Sequence, residues 1–181
     1  ETMLCAVAVK NHGNGTRNPM AQFQKPISRE TYLASKYVAT PVRLYDCSPI
    51  TDGAAAVVLT SEKTDVRLAG VGQGTGPLSL RGREVFTSFP ATRMAAARAY
   101  QMAETSPQGI DFAEVHDAFT PFEIITTEDL GFSAPGKGGD GVLEGLTAAE
   151  GRLPVNPSGG LKARGHPVGA SGLAQIVEVV K

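Results

Sequence analysis

The sequence has little cysteine and no tryptophan: its 181 residues include only Cys5 and Cys47. Two cysteines cannot build a disulfide framework, and these two lack the spacing of metal ligands, so no metal site is predicted. This usage favours a reducing, cytoplasmic compartment. Since neither thiol has a base or a helix N-terminus beside it in the sequence, both are interpreted as buried and inert.

An excess of one charge and long apolar runs are also missing. The 17 lysines and arginines oppose 18 acidic residues, which leaves a net charge of −1. Without a basic excess or a Lys/Arg run, we expect no nucleic acid partner and no membrane partner. The longest apolar run is far too short to cross a bilayer. With 41% hydrophobic and 19% charged residues, the composition is that of a globular protein.

The first third of the chain predicts loops, one short helix and one strand. Residues 11–30 are polar and rich in turn dipeptides, which is typical of a loop. Ser28 is a candidate N-cap for a short helix over 28–37. Residues 52–59 form a continuous apolar run after a glycine turn, which predicts a strand buried on both faces.

From residue 66 onward the pattern alternates between strand and helix. Pro90 opens an amphipathic helix, for which Ser88 is a plausible cap, and its small-residue face suits packing on a sheet. The other predicted elements are strands over 66–72, 111–116 and 154–156 and helices over 120–130 and 173–181, with a glycine-rich excursion at 133–152. This order favours an α/β fold whose sheet is covered by helices.

Both ends of the sequence suggest a longer parent protein. The chain opens at Glu1 and enters an apolar stretch without N-cap residues. The terminal helix over 173–181, expected to be buried on much of its surface, stops without a Gly, Asn or Pro signal. We expect an excised or incomplete piece of a longer chain; the alternative is a fraying C-terminal helix.

Two of the three histidines occupy turns between a strand and a helix. His116 ends a strand, and His166 lies between Gly165 and Pro167 just before the last helix. Ligands of open α/β sheets bind at such turns, so we expect both imidazoles to face one crevice, where histidine can serve as a general base or an oxyanion donor. The alternative is that each satisfies a local backbone group. His12 is interpreted as structural or exposed.

Four segments resemble motifs of the thiolase family. Residues 156–172 (NPSGGLKARGHPVGASG) are similar to its Gly-His-Pro motif. Residues 115–119 (VHDAF) look like the form of the Asn-Glu-Ala-Phe motif in sterol-carrier-protein-2-type (SCP2) and archaeal thiolases, where His replaces Asn. Residues 47–56 (CSPITDGAAA) are similar to the motif that closes the N-terminal domain, and the loop 11–19 also resembles the SCP2-type branch.

The resemblance implies an α/β, layered αβαβα thiolase-like fold that this chain holds only in part. Residues 1–64 would be the loop region and last strand of the N-terminal domain. Residues 65–181 would be the C-terminal domain without its final strands. In thiolases the nucleophilic cysteine lies upstream and the acid/base cysteine downstream of such a piece, so the chain alone is expected to be inactive.

The resemblance also implies roles for residues that match the motifs. His166 matches the base that deprotonates the nucleophilic cysteine and helps bind the thioester oxyanion, and His116 matches the residue that completes the oxyanion hole. The positions expected to contact substrate or coenzyme A are Ser48 at the pantetheine arm, Phe119 at the acyl pocket, and Gly165, Pro167 and Gly169 of the Gly-His-Pro turn.

The implied function of the parent is acyl transfer in lipid metabolism through a cysteine acyl-enzyme. Coenzyme A thioesters are the expected substrates, with no covalently bound cofactor. The parent would cleave 3-ketoacyl thioesters or condense acetyl units. Expected partners are further copies of the same chain, in a dimer or tetramer, and a small protein of the DUF35/OB type.

Two rival interpretations stay open. One is a thiolase-fold retro-aldolase of steroid side-chain degradation; there we expect tyrosines at the two histidine positions, so His116 and His166 favour thiolase chemistry. The other is a non-catalytic fragment or assembly subunit, which the absence of both expected cysteines favours for the chain as it stands.

Overall fold

The computed structural model describes residues 1–181, apart from the side chain of Leu80. Its helices are α1 (Thr2–Gly15), α2 (Arg29–Ala34), α3 (Pro90–Ala103), α4 (Thr120–Asp129), α5 (Gly138–Leu143), α6 (Gly160–Ala163) and α7 (Ser171–Val180). Its strands are β1 (Tyr37–Ala39) and β2 (Val42–Arg43). Short 3₁₀ turns cover Leu44–Asp46, Leu80–Gly82 and Pro107–Gly109.

Helix α1 is the centre of the packed part of the chain. Cys5 and Ala8 on α1 pack with Tyr32 of α2 in a buried cluster. The interpretation of residues 11–30 as a loop is wrong at its start, because α1 continues to Gly15. The polar residues at the end of α1 are not solvated but buried, Asn11 completely, and Asn11 makes the side-chain hydrogen bonds described below.

The short helix and the hairpin that follow are tied to α4. The predicted cap of α2 is confirmed: Ser28 Oγ accepts a hydrogen bond from the Thr31 amide at 3.1 Å. Strands β1 and β2 pair antiparallel. The buried Asp46 then accepts hydrogen bonds from the Tyr32 hydroxyl at 2.8 Å and from Thr120 Oγ1 at 2.6 Å. This carboxylate therefore joins α2 to the start of α4.

The predicted strands over 52–59 and 66–72 are not observed as strands. Residues 52–59 are irregular and largely exposed, with Val58 91% and Leu59 78% accessible. A strand requires a hydrogen-bonded neighbour, and among the described residues neither segment has one. Apolar patterning alone was therefore insufficient to specify a sheet here.

Three alternating glycines, Gly70, Gly72 and Gly74, pack on α3. A Cβ on Gly72 would lie 1.9 Å from the Ala95 carbonyl oxygen, and Gly70 and Gly74 meet Ala99 and Ala91 in the same way. Alternate residues of the segment thus face alternate turns of the helix, at a distance that only glycine permits.

The predicted helices after residue 90 are present, with two differences. Helix α3 begins at Pro90, but its N-cap is Phe89, because the Ser88 hydroxyl donates to Asp129 of α4 at 2.6 Å instead. Helix α7 is largely exposed rather than buried, with Ile176 47% accessible.

Isolated bridges replace the remaining predicted strands. Ala113 pairs with Val155 in the segments 111–116 and 154–156, Cys47 pairs with Phe119, and Ile50 pairs with His166. The architecture is mixed α/β, and these bridges bring the turns at 47–51, 116–119 and 165–169 together. None of the described helices is both long and apolar enough to cross a membrane.

Candidate active site

The structure brings the two predicted histidines into contact. The rings of His116 and His166 have centroids 4.9 Å apart and are nearly perpendicular, at 83°. His116 lies in the turn that precedes α4, and His166 lies in the turn that precedes α7. The prediction that they approach each other is confirmed. His166 is half-buried and His116 is exposed, so the pair is accessible to a ligand.

A serine one helical turn later fixes the orientation of His166. Ser171 Oγ lies 2.7 Å from His166 Nδ1 and 3.2 Å from the Pro167 carbonyl. The carbonyl can only accept, so a Ser171 hydroxyl that donates to Pro167 is left to accept from Nδ1–H of His166, and this arrangement favours the Nδ1–H tautomer. Nε2 of the neutral imidazole is then left with its lone pair, as a general base requires.

Both imidazoles favour the neutral form. Although the His116 residue is exposed, protein atoms around its ring partly desolvate the imidazole and lower its pKa, and the neighbouring His166 lowers it further. Burial also lowers the pKa of His166, with a smaller contribution from the Arg164 guanidinium. A neutral histidine can take a proton, so the electrostatics agree with the tautomer that Ser171 favours.

The backbone around His166 is held by a threonine. The His166 amide donates to Thr51 Oγ1 at 3.0 Å, and that hydroxyl donates to Gln22 Oε1 at 2.6 Å. Gly165, just before the histidine, has φ +119°, a conformation that side chains rarely adopt. The turn therefore needs a glycine at position 165, independently of any contact that Gly165 makes with a ligand.

A buried polar network anchors the turn that carries His116. Asn11 Nδ2 on α1 lies 2.7 Å from Asp117 Oδ2 and 2.8 Å from Glu123 Oε2. The Leu161 amide, in α6, donates to the other Asp117 oxygen at 2.7 Å. Burial raises the pKa of the Asp117 carboxyl, and the nearby Glu123 raises it further. Asp117 therefore ties the His116 turn to α1 and to the helix that leads to His166.

Glu123 completes this network from the α4 side. Lys10 Nζ lies 2.8 Å from Glu123 Oε1, and Asn156 Nδ2 donates to Oε2 at 2.7 Å. The Asn156 side-chain oxygen accepts from the amide of Val115 at 2.8 Å. The residue before His116 is thus fixed by the same set of side chains.

The other predicted site residues lie in the turns that carry the pair or are bonded to them. The Ser48 amide donates to the Ala118 carbonyl at 2.9 Å. Phe119 is 41% exposed, and its ring centroid lies 5.5 Å from that of Phe122. Pro167 and Gly169 lie in the turn between His166 and α7. The roles assigned to these residues stay predictions.

The two cysteines differ from each other. Cys5 is buried in the α1 core, as predicted. The prediction is wrong for Cys47, which is only half-buried because its segment runs along a cavity beside Ser48 and Pro49. Burial raises the pKa of both thiols, so neither is a thiolate nucleophile at neutral pH. Among the described residues, no group of three or more His, Cys, Asp or Glu is placed to hold a metal ion.

Three residues important to the site were missed by the sequence analysis. Ser171 could have been found from its position one turn after His166, on the same helix end. Asn11 gave no signal, because it acts on residues more than 100 positions away. Lys162 is 1% exposed, although a lysine in a glycine-rich turn is normally solvated.

A family model described as "Thiolase C-terminal domain-like" matches residues 72–181, well over half of the chain. The chain belongs to the thiolase family. The acetyl-CoA acetyltransferase of Methanothermobacter thermautotrophicus is 48% identical over 98% of this chain and 48% of its own length. Sterol carrier protein 2 of Bos taurus is 37% identical over 94% of this chain and 34% of its own length.

A solved structure has the same thiolase-like fold. A chain of the Ltp2-ChsH2(DUF35) aldolase superposes with a TM-score of 0.83 and 26% identity, over 99% of this chain and 50% of that one. This thiolase chain therefore spans about half the length or less of the proteins that it matches. The resemblance to archaeal and SCP2-type members is confirmed.

Proposed function

We propose that this chain supplies the histidine pair of a thiolase-type acyltransferase that acts on coenzyme A thioesters. The observation that carries the proposal is the pair itself: the ring centroids of His116 and His166 lie 4.9 Å apart, and the Ser171 hydroxyl at His166 Nδ1 favours a tautomer with an unprotonated Nε2. A thioester carbonyl attacked by a thiolate develops negative charge on its oxygen, and fixed donors stabilise that charge.

In this proposal His166 acts twice. Its Nε2 takes the proton of the nucleophilic cysteine, which the parent protein supplies from outside this chain. The thiolate attacks the thioester carbonyl, and the Nε2–H of His166 then donates to the oxygen that becomes negative. His116 completes the oxyanion site, directly or through a water. The tetrahedral intermediate then breaks its bond to the coenzyme A sulfur, and that thiolate takes the proton which His166 received from the cysteine. The acyl-enzyme passes its acyl group to the α-carbon of a second thioester, which gives up a proton. Thiolysis of a 3-ketoacyl thioester is this sequence in reverse.

The surrounding residues have proposed binding roles. Ser48 contacts the pantetheine arm, Phe119 forms a wall of the acyl pocket, and the turn of Gly165, Pro167 and Gly169 approaches the thioester. Residues 1–64 belong to the N-terminal domain of the parent and residues 65–181 to its C-terminal domain. The parent works in the cytoplasm, in lipid metabolism, as a dimer or tetramer, with a DUF35-type protein as a further partner.

A second candidate is a retro-aldolase on the same fold. The similarity to the Ltp2-ChsH2(DUF35) aldolase, with its TM-score of 0.83, favours it. His116 and His166 stand where we expect tyrosines in such aldolases, and the 48% identity to an acetyl-CoA acetyltransferase supports thiolysis as the first choice.

The test is thiolysis of 3-ketoacyl-CoA substrates of several chain lengths by the full parent protein. We expect His166→Ala to lower kcat by at least about 10²–10³, because an oxyanion donor and a base are lost together, with KM little changed. His116→Asn is milder, since an amide can still hold a water there. The control is Val168→Ala in the same turn, where the side chain is 77% exposed.

Two results would contradict the proposal. One is a His166→Ala variant that keeps kcat and raises only KM, which would make the imidazole a wall of the coenzyme A channel. The other is thiolysis by the 181-residue chain alone, since Cys5 or Cys47 would then have to act as the nucleophile. A parent that cleaves an aldol substrate and not a 3-ketoacyl thioester would favour the second candidate.

A further inference from the structure

The residues 47–51, which we call the bridging segment, contact the turns of both histidines. At the start of the segment, the Ser48 amide donates to a backbone carbonyl of the turn that carries His116, at 2.9 Å. At its end, Thr51 Oγ1 accepts a hydrogen bond from the His166 amide at 3.0 Å. Because one short segment is bonded to both turns, it helps to set the spacing between the two imidazoles.

The two ends of the bridging segment use different groups. The contact at Ser48 is made by backbone atoms, and Ile50 also pairs with His166 through the backbone. The contact at Thr51 is made by a side-chain hydroxyl. A substitution of Thr51 therefore changes the hold on His166 and leaves the backbone contacts of the segment available.

The proton of the Thr51 hydroxyl is used within the protein. While its oxygen accepts from the His166 amide, the hydroxyl donates to Gln22 Oε1 at 2.6 Å. The Pro49 carbonyl is also within reach, but at 3.4 Å it is a weaker acceptor. A hydroxyl has a single proton, so Thr51 has none left to donate to a substrate, and its effect on the reaction passes through His166.

Gln22 completes a closed set of hydrogen bonds around the turn. Its backbone amide donates to the Arg164 carbonyl at 3.1 Å, two residues before His166, while its side-chain oxygen accepts the Thr51 proton. Since the bond to Arg164 uses the Gln22 backbone, a change of the Gln22 side chain removes only the bond to Thr51. The orientation of the Thr51 hydroxyl can thus be tested separately from the path of the chain.

The space at Gly165 shows how closely Thr51 fits the turn. A Cβ on Gly165 would lie 3.0 Å from Thr51 Cγ2, 3.1 Å from Thr51 Oγ1 and 3.3 Å from Gln22 Oε1. These distances are shorter than ordinary van der Waals contacts, so the glycine lets the hydroxyl come close to the His166 amide. The turn is therefore packed directly against the Thr51 side chain.

We propose that Thr51 is a positioning residue of the acyl transfer: its hydroxyl, oriented by Gln22, fixes the His166 backbone so that both imidazoles reach the same thioester oxygen. The inference rests on the proposed function, in which His166 and His116 serve one carbonyl. Donors that are fixed before the reaction stabilise the developing charge without reorganisation. A displacement of about 1 Å in such a group can cost about 10²-fold in rate.

The first test is thiolysis by the full parent protein. Thr51→Val keeps the shape of the side chain and removes the hydroxyl, so we expect kcat to fall at least about tenfold with KM within about twofold. Thr51→Ser keeps the hydroxyl and should hold kcat within about threefold of the wild type. The control is Thr64→Val, which removes an exposed hydroxyl that donates to the Val66 carbonyl at 2.7 Å, away from the histidine turns; kcat should not change.

Three kinetic results overturn the role of Thr51. An unchanged kcat in Thr51→Val would show that the hydroxyl does not affect the reaction. A rise in KM alone would make Thr51 a substrate contact. Equal losses of kcat in Thr51→Val and Thr51→Ser would assign the effect to the packing of the side chain instead of its hydrogen bond to His166.

Gln22→Leu tests the orienting bond and covers the case in which Thr51→Val does not fold, since Gln22 is exposed. We expect kcat to fall about threefold, because the Thr51 hydroxyl is then free to turn away. The double variant with Thr51→Val should be no slower than Thr51→Val alone, because the group through which Gln22 acts is missing. An unchanged kcat in Gln22→Leu, or losses that multiply in the double variant, would overturn the role of Gln22.

A measurement without turnover separates this inference from the proposed function. In the parent with labelled histidine, the NOE between the ring protons of His116 and His166 reports their spacing, and hydrogen exchange reports the His166 amide. We expect Thr51→Val to weaken this NOE and to speed exchange of the amide at least about tenfold, and Thr51→Ser to change neither. A wild type without thiolysis contradicts the proposed function, and the NOE still decides whether Thr51 positions the pair. An unchanged NOE in Thr51→Val overturns the inference even where thiolysis is found.

Discussion

The turns that carry His116 and His166 differ from the segment 52–76 in how firmly other parts of the chain hold their side chains. Around His116 and His166, buried carboxylates and amides from α1, α4 and α6 hold each other in a closed network. In the segment 52–76, apolar residues such as Val58 are exposed. The comparison shows that the candidate site is defined by contacts within this chain, whereas the apolar segment has few contacts that fix it.

The largest expected effect comes from breaking the network at Asn11. Asn11→Leu removes the donor shared by Asp117 and Glu123, which leaves two buried carboxylates facing each other. We expect the free energy of unfolding to fall by about 3 kcal/mol, as when one partner of a buried charged group is removed. Urea denaturation measures it.

The control for this variant lies in the other region. Val58→Thr changes a side chain that is 91% exposed, and we expect a change of less than about 0.5 kcal/mol. Similar losses of unfolding free energy for Asn11→Leu and Val58→Thr would show that the buried network is not held more firmly than the segment 52–76.

The next largest effect on stability is expected at Gly72, where the segment 52–76 packs tightly on α3. Gly72→Val places a side chain against the Ala95 carbonyl of α3, where even a Cβ would lie at 1.9 Å. We expect a loss of about 2 kcal/mol, or detachment of the segment, seen as faster amide exchange over 70–74. Gly76→Val is the matched control, since its nearest neighbour would be Ala91 Cβ at 3.8 Å; an equal effect there would argue against close packing.

A smaller effect is expected from the residue that orients His166. Ser171→Ala removes the acceptor of the Nδ1 proton but leaves the imidazole in place. In the parent protein we expect kcat to fall by about tenfold with KM nearly unchanged, as for other residues that orient a reacting group. Ser171→Thr keeps the hydroxyl and should restore most of the rate. Equal kcat values for Ser171→Ala and Ser171→Thr would show that Ser171 does not orient His166.

The sequence predicted the site better than the sheet. The contact between His116 and His166 followed from their positions at turns before helices, because such turns meet at one edge of an α/β fold. The prediction of a strand over 52–59 was wrong, because a strand depends on a hydrogen-bonded partner strand, which local patterning cannot reveal. The role of Asn11 and the burial of Lys162 were not predictable, since they arise from contacts with residues distant in the sequence.

The central claim is that His166 is a neutral imidazole protonated on Nδ1, beside an equally neutral His116. Nitrogen-15 NMR of labelled histidine tests it directly, because the chain has 3 histidines and replacing them one at a time assigns each signal. The account predicts a Nδ1–H tautomer for His166 and pKa values for His116 and His166 below the ordinary 6.5. A Nε2–H tautomer of His166, or titration of either histidine at or above 6.5, would contradict it.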